Sequence, residues 1–312
     1  MKAVFLYAGQ GSQKVGMGKD FYDTYDVFAD FIDSVDSKVD VDIKKLMFEG
    51  PIEELSDTKN TQSCMAAFAA GVTMLLKKNG VEPVATMGLS LGEYGALFAA
   101  DVIEAEEYVK MTAFRGEAMS EAAKGLHCSM SAVLGLDAQT VEKACAEYAG
   151  DKFVTLTNYI CPGQYVICGD EEAVADTEAR LQTMGAKRCV RLNVSGPFHT
   201  KFMAPAGEKL AKYFETVEFK APTIPIALNV TGKLNTEDTD LKKNLVDQVQ
   251  NGIRIEDDLK TLIAEGYDTF IEIGPGNAVS GFLKKTAKAV GAEVTVCSIE
   301  TVADFEKLVA TN

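Results

Sequence analysis

The chain has only two histidines, His127 and His199. Any chemistry that needs a base near neutral pH therefore has few side chains to draw on. The seven cysteines are scattered with no C-x-x-C pair. An odd count in a long chain fits reduced thiols in a cytosol, and indicates neither a zinc site nor a disulfide framework. No apolar run reaches the ~18 residues that span a bilayer. The short apolar start, residues 3–8, stops at Gly9-Gln10-Gly11 without a cleavage site, so it reads as a core strand rather than a signal peptide. A formal net charge of −15 argues against nucleic acid, whose phosphates need a basic face. The two matches to the glycosylation pattern, at Asn193 and Asn229, carry no meaning in a cytosolic protein. No internal repeat or low-complexity tract is visible. What remains is an ordinary globular composition, 47% hydrophobic and 25% charged over 312 residues, enough for one large domain or two unequal ones.

The most informative stretch is Gly88-Leu89-Ser90-Leu91-Gly92. An apolar run, 84–87, precedes it and a small-residue apolar run, 94–100, follows. G-x-S-x-G between a strand and a helix reads as a nucleophile elbow, with the serine pushed out at the carboxyl end of the strand. The same pattern also fits a β–α turn with a serine cap. Around it, the chain alternates strands and helices: a strand at 3–8, helical pieces over 21–80 with the clearest at 61–78, and a periodic helix at 104–123. Further strands read at 225–229, 269–273 and 293–299, and further helices at 241–250, 256–265, 278–290 and from about 302. That alternation implies a parallel sheet covered on both faces. Between 131 and 192 the order is β-α-β-β-α-β, a ferredoxin-like unit. The expected fold is thus α/β: an α/β-hydrolase-like domain over 1–125 and 193–312, with a ferredoxin-like subdomain inserted at 126–192.

On the 104–123 helix, Tyr108, Thr112, Arg115 and Met119 fall on one stripe with Met111 beside them. Arg115 therefore points with the apolar side chains. A guanidinium cannot shed its proton, so it needs an anion there. An internal Asp or Glu would serve, and so would a substrate carboxylate. The base for Ser90 is His199 by elimination: it sits in a Gly-Pro loop where the chain re-enters the large domain, whereas His127 reads as a boundary-loop residue. An oxyanion hole would use the N–H of Leu91 and, from the first strand's end, that of Gln10.

Five motifs then carry a resemblance. They are Tyr7-Ala8-Gly9-Gln10-Gly11-Ser12-Gln13, Gly88-Leu89-Ser90-Leu91-Gly92-Glu93-Tyr94, Phe114-Arg115-Gly116, Gly196-Pro197-Phe198-His199 and Glu272-Ile273-Gly274-Pro275-Gly276. In this order, over nearly the whole chain, they resemble the malonyl-CoA:acyl carrier protein transacylase family. The resemblance implies ping-pong transfer of a malonyl group through an ester on Ser90, with His199 as base and acid. It implies malonyl-CoA and holo acyl carrier protein as partners, no cofactor and no metal, a cytoplasmic setting, and a monomer. It assigns Gln10 and Leu91 to the oxyanion hole, and Arg115, with Met119 and Phe198, to substrate binding. It gives the main-chain carbonyl of Gln248 the task of orienting the histidine. Phe198 before His199 resembles the malonyl-selective form. Lys187, Arg188, Arg191, Lys284, Lys285 and Lys288 are candidate contacts for an acidic carrier protein. Three places depart from the family pattern: Leu89 where a histidine is common, Gly252-Ile253-Arg254-Ile255 after Gln248, and Ile160 near Asn158. A serine esterase or thioesterase, a polyketide acyltransferase and an inactive binding module are the competing readings.

Overall fold

The computed structural model describes residues 2–194 and 196–311; Met1, Ser195 and Asn312 lie outside the described residues. The chain opens with β1 (Lys2–Tyr7), whose residues from Ala3 to Tyr7 are all buried. Burial on both faces is what a central parallel strand demands, and the unbroken apolar run supplies it. Four short helices follow: α1 (Lys19–Thr24), α2 (Asp26–Asp36), α3 (Ile43–Phe48) and α4 (Ile52–Leu55). They pack around α5 (Thr58–Lys78), which is buried along most of its length. Then come β2 (Glu82–Gly88), α6 (Gly92–Ala99) and α7 (Ala105–Ala122).

The next segment forms its own sheet. It contains β3 (Cys128–Leu134), α8 (Ala138–Ala146), β4 (Val154–Cys161), β5 (Gln164–Asp170), α9 (Glu171–Thr183) and β6 (Arg188–Arg191). The strand order is β4-β5-β3-β6, all antiparallel, which is the ferredoxin-like arrangement. One face of this sheet makes its own core with the two helices, around Val133, Leu156, Ile167 and Leu181. The other face, with Met130, Cys161 and Cys168, joins the main core.

The rest of the chain supplies α10 (Ala204–Phe214), β7 (Ile226–Leu228), β8 (Lys233–Leu234), α11 (Leu241–Gln250), α12 (Ile255–Ala264), β9 (Thr269–Ile273), α13 (Ala278–Val290), β10 (Thr295–Ile299) and α14 (Val302–Ala310). The main sheet runs β10-β9-β1-β2-β7-β8. Its first five strands are parallel, and β8 adds an antiparallel edge paired to β7. The sequence reading gives a purely parallel sheet and no element over 201–214. The first misses a two-residue strand too short to carry any alternation. The second misses α10, where Pro205 in the first turn and Gly207 break the apolar pattern although Ala206, Leu210 and Phe214 are buried. Among the described residues no helix is long and apolar enough to cross a membrane.

Register decides where the site lies. Tyr7 is level with Gly88 on β2 and with Ile273 on β9. The turns that leave these three strands, at 9–11, 88–92 and 274–276, therefore meet at one edge. Ligand crevices in open α/β sheets form at the carboxyl ends of the strands.

Candidate active site

The elbow is built by close approach. A Cβ on Gly88 would lie 1.9 Å from both C and O of Gly92, and one on Gly92 would lie 2.5 Å from the carbonyl oxygen of Tyr7. Only glycine lets strand, turn and helix come this near. Ser90 itself takes φ +54°, an uncommon backbone state for a residue with a side chain. Leu89 donates its N–H to Tyr7 O at 3.0 Å, and its side chain lies where a Cβ on Gly9 would be, 2.1 Å from Leu89 Cδ2. The apolar residue beside the nucleophile thus packs on the bare backbone of the first loop.

Ser90 Oγ is 2.9 Å from His199 Nε2, and His199 Nδ1 is 2.7 Å from the main-chain oxygen of Gln248. A carbonyl only accepts, so Nδ1 carries the proton and Nε2 faces the serine with its lone pair. His199 is buried and also sits at positive φ, +60°. Burial, and then the charge of Arg115, lower its pKa to about 4, against the hydrogen bond to Gln248, which raises it. The imidazole is therefore neutral, the form a base requires, over the physiological range.

Arg115 is buried and reaches the same point. Nη2 donates to Ser90 Oγ at 3.0 Å and to Gln248 Oε1 at 2.9 Å, and Nη1 donates to Gln62 Oε1 at 2.7 Å. Its guanidinium lies 5.5 Å from the centre of the Tyr94 ring. Among the described residues no carboxylate forms an ion pair with it, and its buried Nε has no partner. The internal ion pair that the sequence left open is absent among the described residues. Two neutral amides hold the cation instead.

The remaining sequence candidates divide. Leu91 precedes the first residue of α6 and is buried; Gln10 lies three residues past the end of β1. Neither main-chain N–H is engaged by a partner among the described residues. Met119 Sδ accepts from Gln62 Nε2 at 3.5 Å, which places it beside the Arg115 support. Phe198 is buried next to His199. His127 is exposed, and its carbonyl accepts from the Glu171 N–H in the subdomain. Gly252 fits because a Cβ there would stand 2.9 Å from Thr157 O; Ile253 then pairs with β4 through Ile253 N to Thr157 O at 2.8 Å and Tyr159 N to Ile253 O at 2.9 Å. The departure after Gln248 is thus a strap to the inserted sheet. Ile160 is buried, and Asn158 Oδ1 has no partner.

Four residues of the cluster escaped the sequence reading as individuals. Gln62 is a fully buried polar residue at the head of α5. Asn229 follows β7 directly, Glu93 sits in the first turn of α6 and Asp258 in that of α12, all fully buried. Glu93 accepts from Asn244 Nδ2 at 2.8 Å and from Gln248 Nε2. Burial raises its pKa to about 7, against its hydrogen bonds and the charge of Arg115, which lower it. The usable signal is a polar residue inside an otherwise apolar run, as in Ala-Leu-Asn at 227–229.

The comparisons with known proteins bear on this geometry. The acyl transferase domain family matches residues 4–304. This chain belongs to that family. It is 37% identical over 302 residues to the malonyl CoA-acyl carrier protein transacylase of Bacillus subtilis (strain 168), covering 96% of this chain and 95% of that one. It is 36% identical over 306 residues to the protein of the same name from Staphylococcus aureus (strain MRSA252), covering 98% and 97%. Among solved structures, the transacylase of Clostridium perfringens Atcc 13124 superposes with a TM-score of 0.93 at 35% identity, over 100% of this chain and 97% of that one. A malonyl-transacylase solved with a type II PKS acyl-carrier protein gives 0.94 at 30% identity, over the whole of both chains.

Proposed function

We propose that this chain moves a malonyl group from malonyl-CoA to the phosphopantetheine thiol of acyl carrier protein, in fatty acid biosynthesis, as a cytoplasmic monomer. The observation that carries the reading is Arg115: a buried cation without a carboxylate of its own, 3.0 Å from the candidate nucleophile. A hydrolase of neutral acyl groups has no use for such a group. A two-pronged contact to the malonyl carboxylate does. The family and the 37% identity to a transacylase support the same reading.

The chemistry balances on the residues present. Ser90 Oγ attacks the thioester carbonyl as His199 Nε2 takes its proton. The N–H groups of Gln10 and Leu91 receive the oxyanion. Collapse breaks the C–S bond, and His199 returns the proton to the leaving sulfur, releasing CoA as a thiol. The carrier thiol then gives its proton to His199 and attacks the ester. Ser90 leaves as the alkoxide and takes the proton back. Gln248 holds His199 in the required tautomer with its main-chain oxygen. Met119 and Phe198 wall the acyl pocket. We divide the chain at 126 and 192, which assigns the catalytic residues to the large domain and the inserted sheet to one wall of the cleft.

Delivery to a polyketide carrier is the second reading, favoured by the likeness to the transacylase solved with a type II PKS carrier. Intact-mass analysis after mixing with malonyl-CoA tests the main reading. One malonyl adduct on Ser90, discharged by holo carrier protein of the fatty acid type, is the expected result. Discharge by water alone would mean a hydrolase, and discharge only by a polyketide carrier would select the second reading.

A further inference from the structure

Asn229 fastens the elbow from the turn just after the neighbouring strand, β7. Its Oδ1 accepts the Ser90 N–H at 2.8 Å, and its Nδ2 donates to Gly88 O at 2.8 Å and to Asp258 Oδ2 at 3.0 Å. Its own N–H points to Glu93 Oε1 at 3.4 Å. The two elbow groups it holds flank Leu89 and belong to consecutive peptide units. They are the groups freed when the chain leaves the pattern of β2 and has not yet entered that of α6. The orientation of the amide follows from its surroundings: a flip would set Nδ2 against the Ser90 N–H and Oδ1 against two oxygens.

Asp258 is otherwise without purpose. It is fully buried, its Oδ1 has no partner among the described residues, and Arg254, the arginine whose charge reaches it, is bound to Asp257. A buried carboxylate in that condition is costly. Among the described residues its carboxylate hydrogen-bonds Asn229 Nδ2 alone.

We propose that Asn229 is a positioning residue for acyl transfer, clamping the peptide units on either side of Leu89 so that Ser90 is held at positive φ, with Asp258 fixing the clamp. The inference rests on Ser90 being the nucleophile. Releasing the clamp lets Ser90 relax. Oγ then moves off His199 Nε2 and off Arg115 Nη2, and the Leu91 N–H off the oxyanion, while the amide oxygens of Gln62 and Gln248 still hold Arg115 for the substrate carboxylate.

The test reads the reactivity of Ser90 in the full chain with a fluorophosphonate probe, which needs an activated serine but no carboxylate pocket, and the steady-state split with malonyl-CoA. Asn229→Ala is expected to slow labelling and kcat by about 100-fold, the cost of a displacement near 1 Å, with KM for malonyl-CoA within about three-fold of the parent. Asn229→Asp keeps an acceptor for the Ser90 N–H but sets two carboxylates face to face. The exchange Asn229→Asp with Asp258→Asn restores a donor between the two positions, and is expected to label at least about ten-fold faster than Asn229→Asp alone. If Asn229→Ala does not fold, that pair carries the comparison. Labelling of Asn229→Ala at the parental rate, equal loss in kcat and affinity, or no gain from the exchange overturns the clamp. Labelling that persists in Ser90→Ala overturns the nucleophile reading beneath it, and is told apart because the other results leave Ser90→Ala unlabelled.

Discussion

Arg115 Nη2 and Ser90 Oγ are 3.0 Å apart, so a buried cation hydrogen-bonds the candidate nucleophile itself. In the free protein the guanidinium rests on that hydroxyl and on the amide oxygens of Gln62 and Gln248. An incoming carboxylate can replace the weakest of these contacts with a charged one. Arg115→Ala should therefore cut malonyl transfer by about 100-fold or more, in line with loss of a charge-assisted, buried contact, while acetyl transfer changes far less. Arg115→Lys should recover little, because one ammonium cannot reproduce the fork. Matched kcat/KM values for both acyl-CoA substrates are the measurement, and equal losses would remove the carboxylate role.

The same proximity sets the pH behaviour of His199. Its pKa lies at about 4, lowered first by burial and then by Arg115. The acid limb of kcat/KM, which reports the free protein, should fall near that value rather than at 6.5. With acetyl-CoA as substrate, Arg115→Ala should move the limb upward. Stability is a poorer readout. The folded protein binds fewer protons at His199 than the unfolded chain between about 4 and 6.5, so this group's contribution is lost as pH falls through that window. Glu93, raised to about 7, acts with the opposite sign, since its folded form holds a proton that the unfolded chain releases above about 4.5. An acid limb at 6.5 in the parent would show that His199 is not held as described.

Residues that announce themselves by local pattern were legible in the sequence. The elbow, the Arg115 stripe and the βαββαβ order each rest on neighbours within a few positions. Their supports were mostly not. Gln248 came with the family resemblance as the partner of His199, but its side-chain contact to Arg115 from α11 did not; Gln62 meets Arg115 from α5, and Asn229 meets Ser90 across 139 positions. Such contacts are set by register and helix packing, which a single sequence does not display. Asn229 even carried a misleading label, since it begins an N-x-T triplet but is fully buried.

Carrier docking should depend on exposed basic charge. Arg191 is bound to Glu178 at 2.8 Å, and Lys285 donates to Gln164 at 3.2 Å. Lys284 and Lys288, on the exposed side of α13, form no ion pair among the described residues. Exposed Lys187 and Arg188 in the subdomain form none among the described residues either, so these four are the better candidates for an acidic partner. Lys284→Glu with Lys288→Glu should raise KM for carrier protein about ten-fold at low salt, with an effect that shrinks as salt screens it. KM for malonyl-CoA should hold. Unchanged carrier kinetics at low salt would move the docking surface elsewhere.

Two glycine substitutions should differ in sign. Gly88→Ala drives a methyl group to 1.9 Å from the backbone of Gly92, and no side-chain rotation relieves that contact. Either α6 moves away from β2 or the chain does not fold, and both abolish fluorophosphonate labelling at Ser90. Gly281 lies inside α13, where an added Cβ meets no heavy atom within 4 Å. Its replacement by alanine removes the entropic cost of glycine in a helix and should stabilise the protein by about 0.5–1 kcal/mol, read from denaturant midpoints at constant m. Parental labelling in Gly88→Ala would mean that the elbow is not packed against α6 as described. The two glycines are alike in composition, so the opposite outcomes would trace to one difference alone: whether backbone or open space faces the missing side chain.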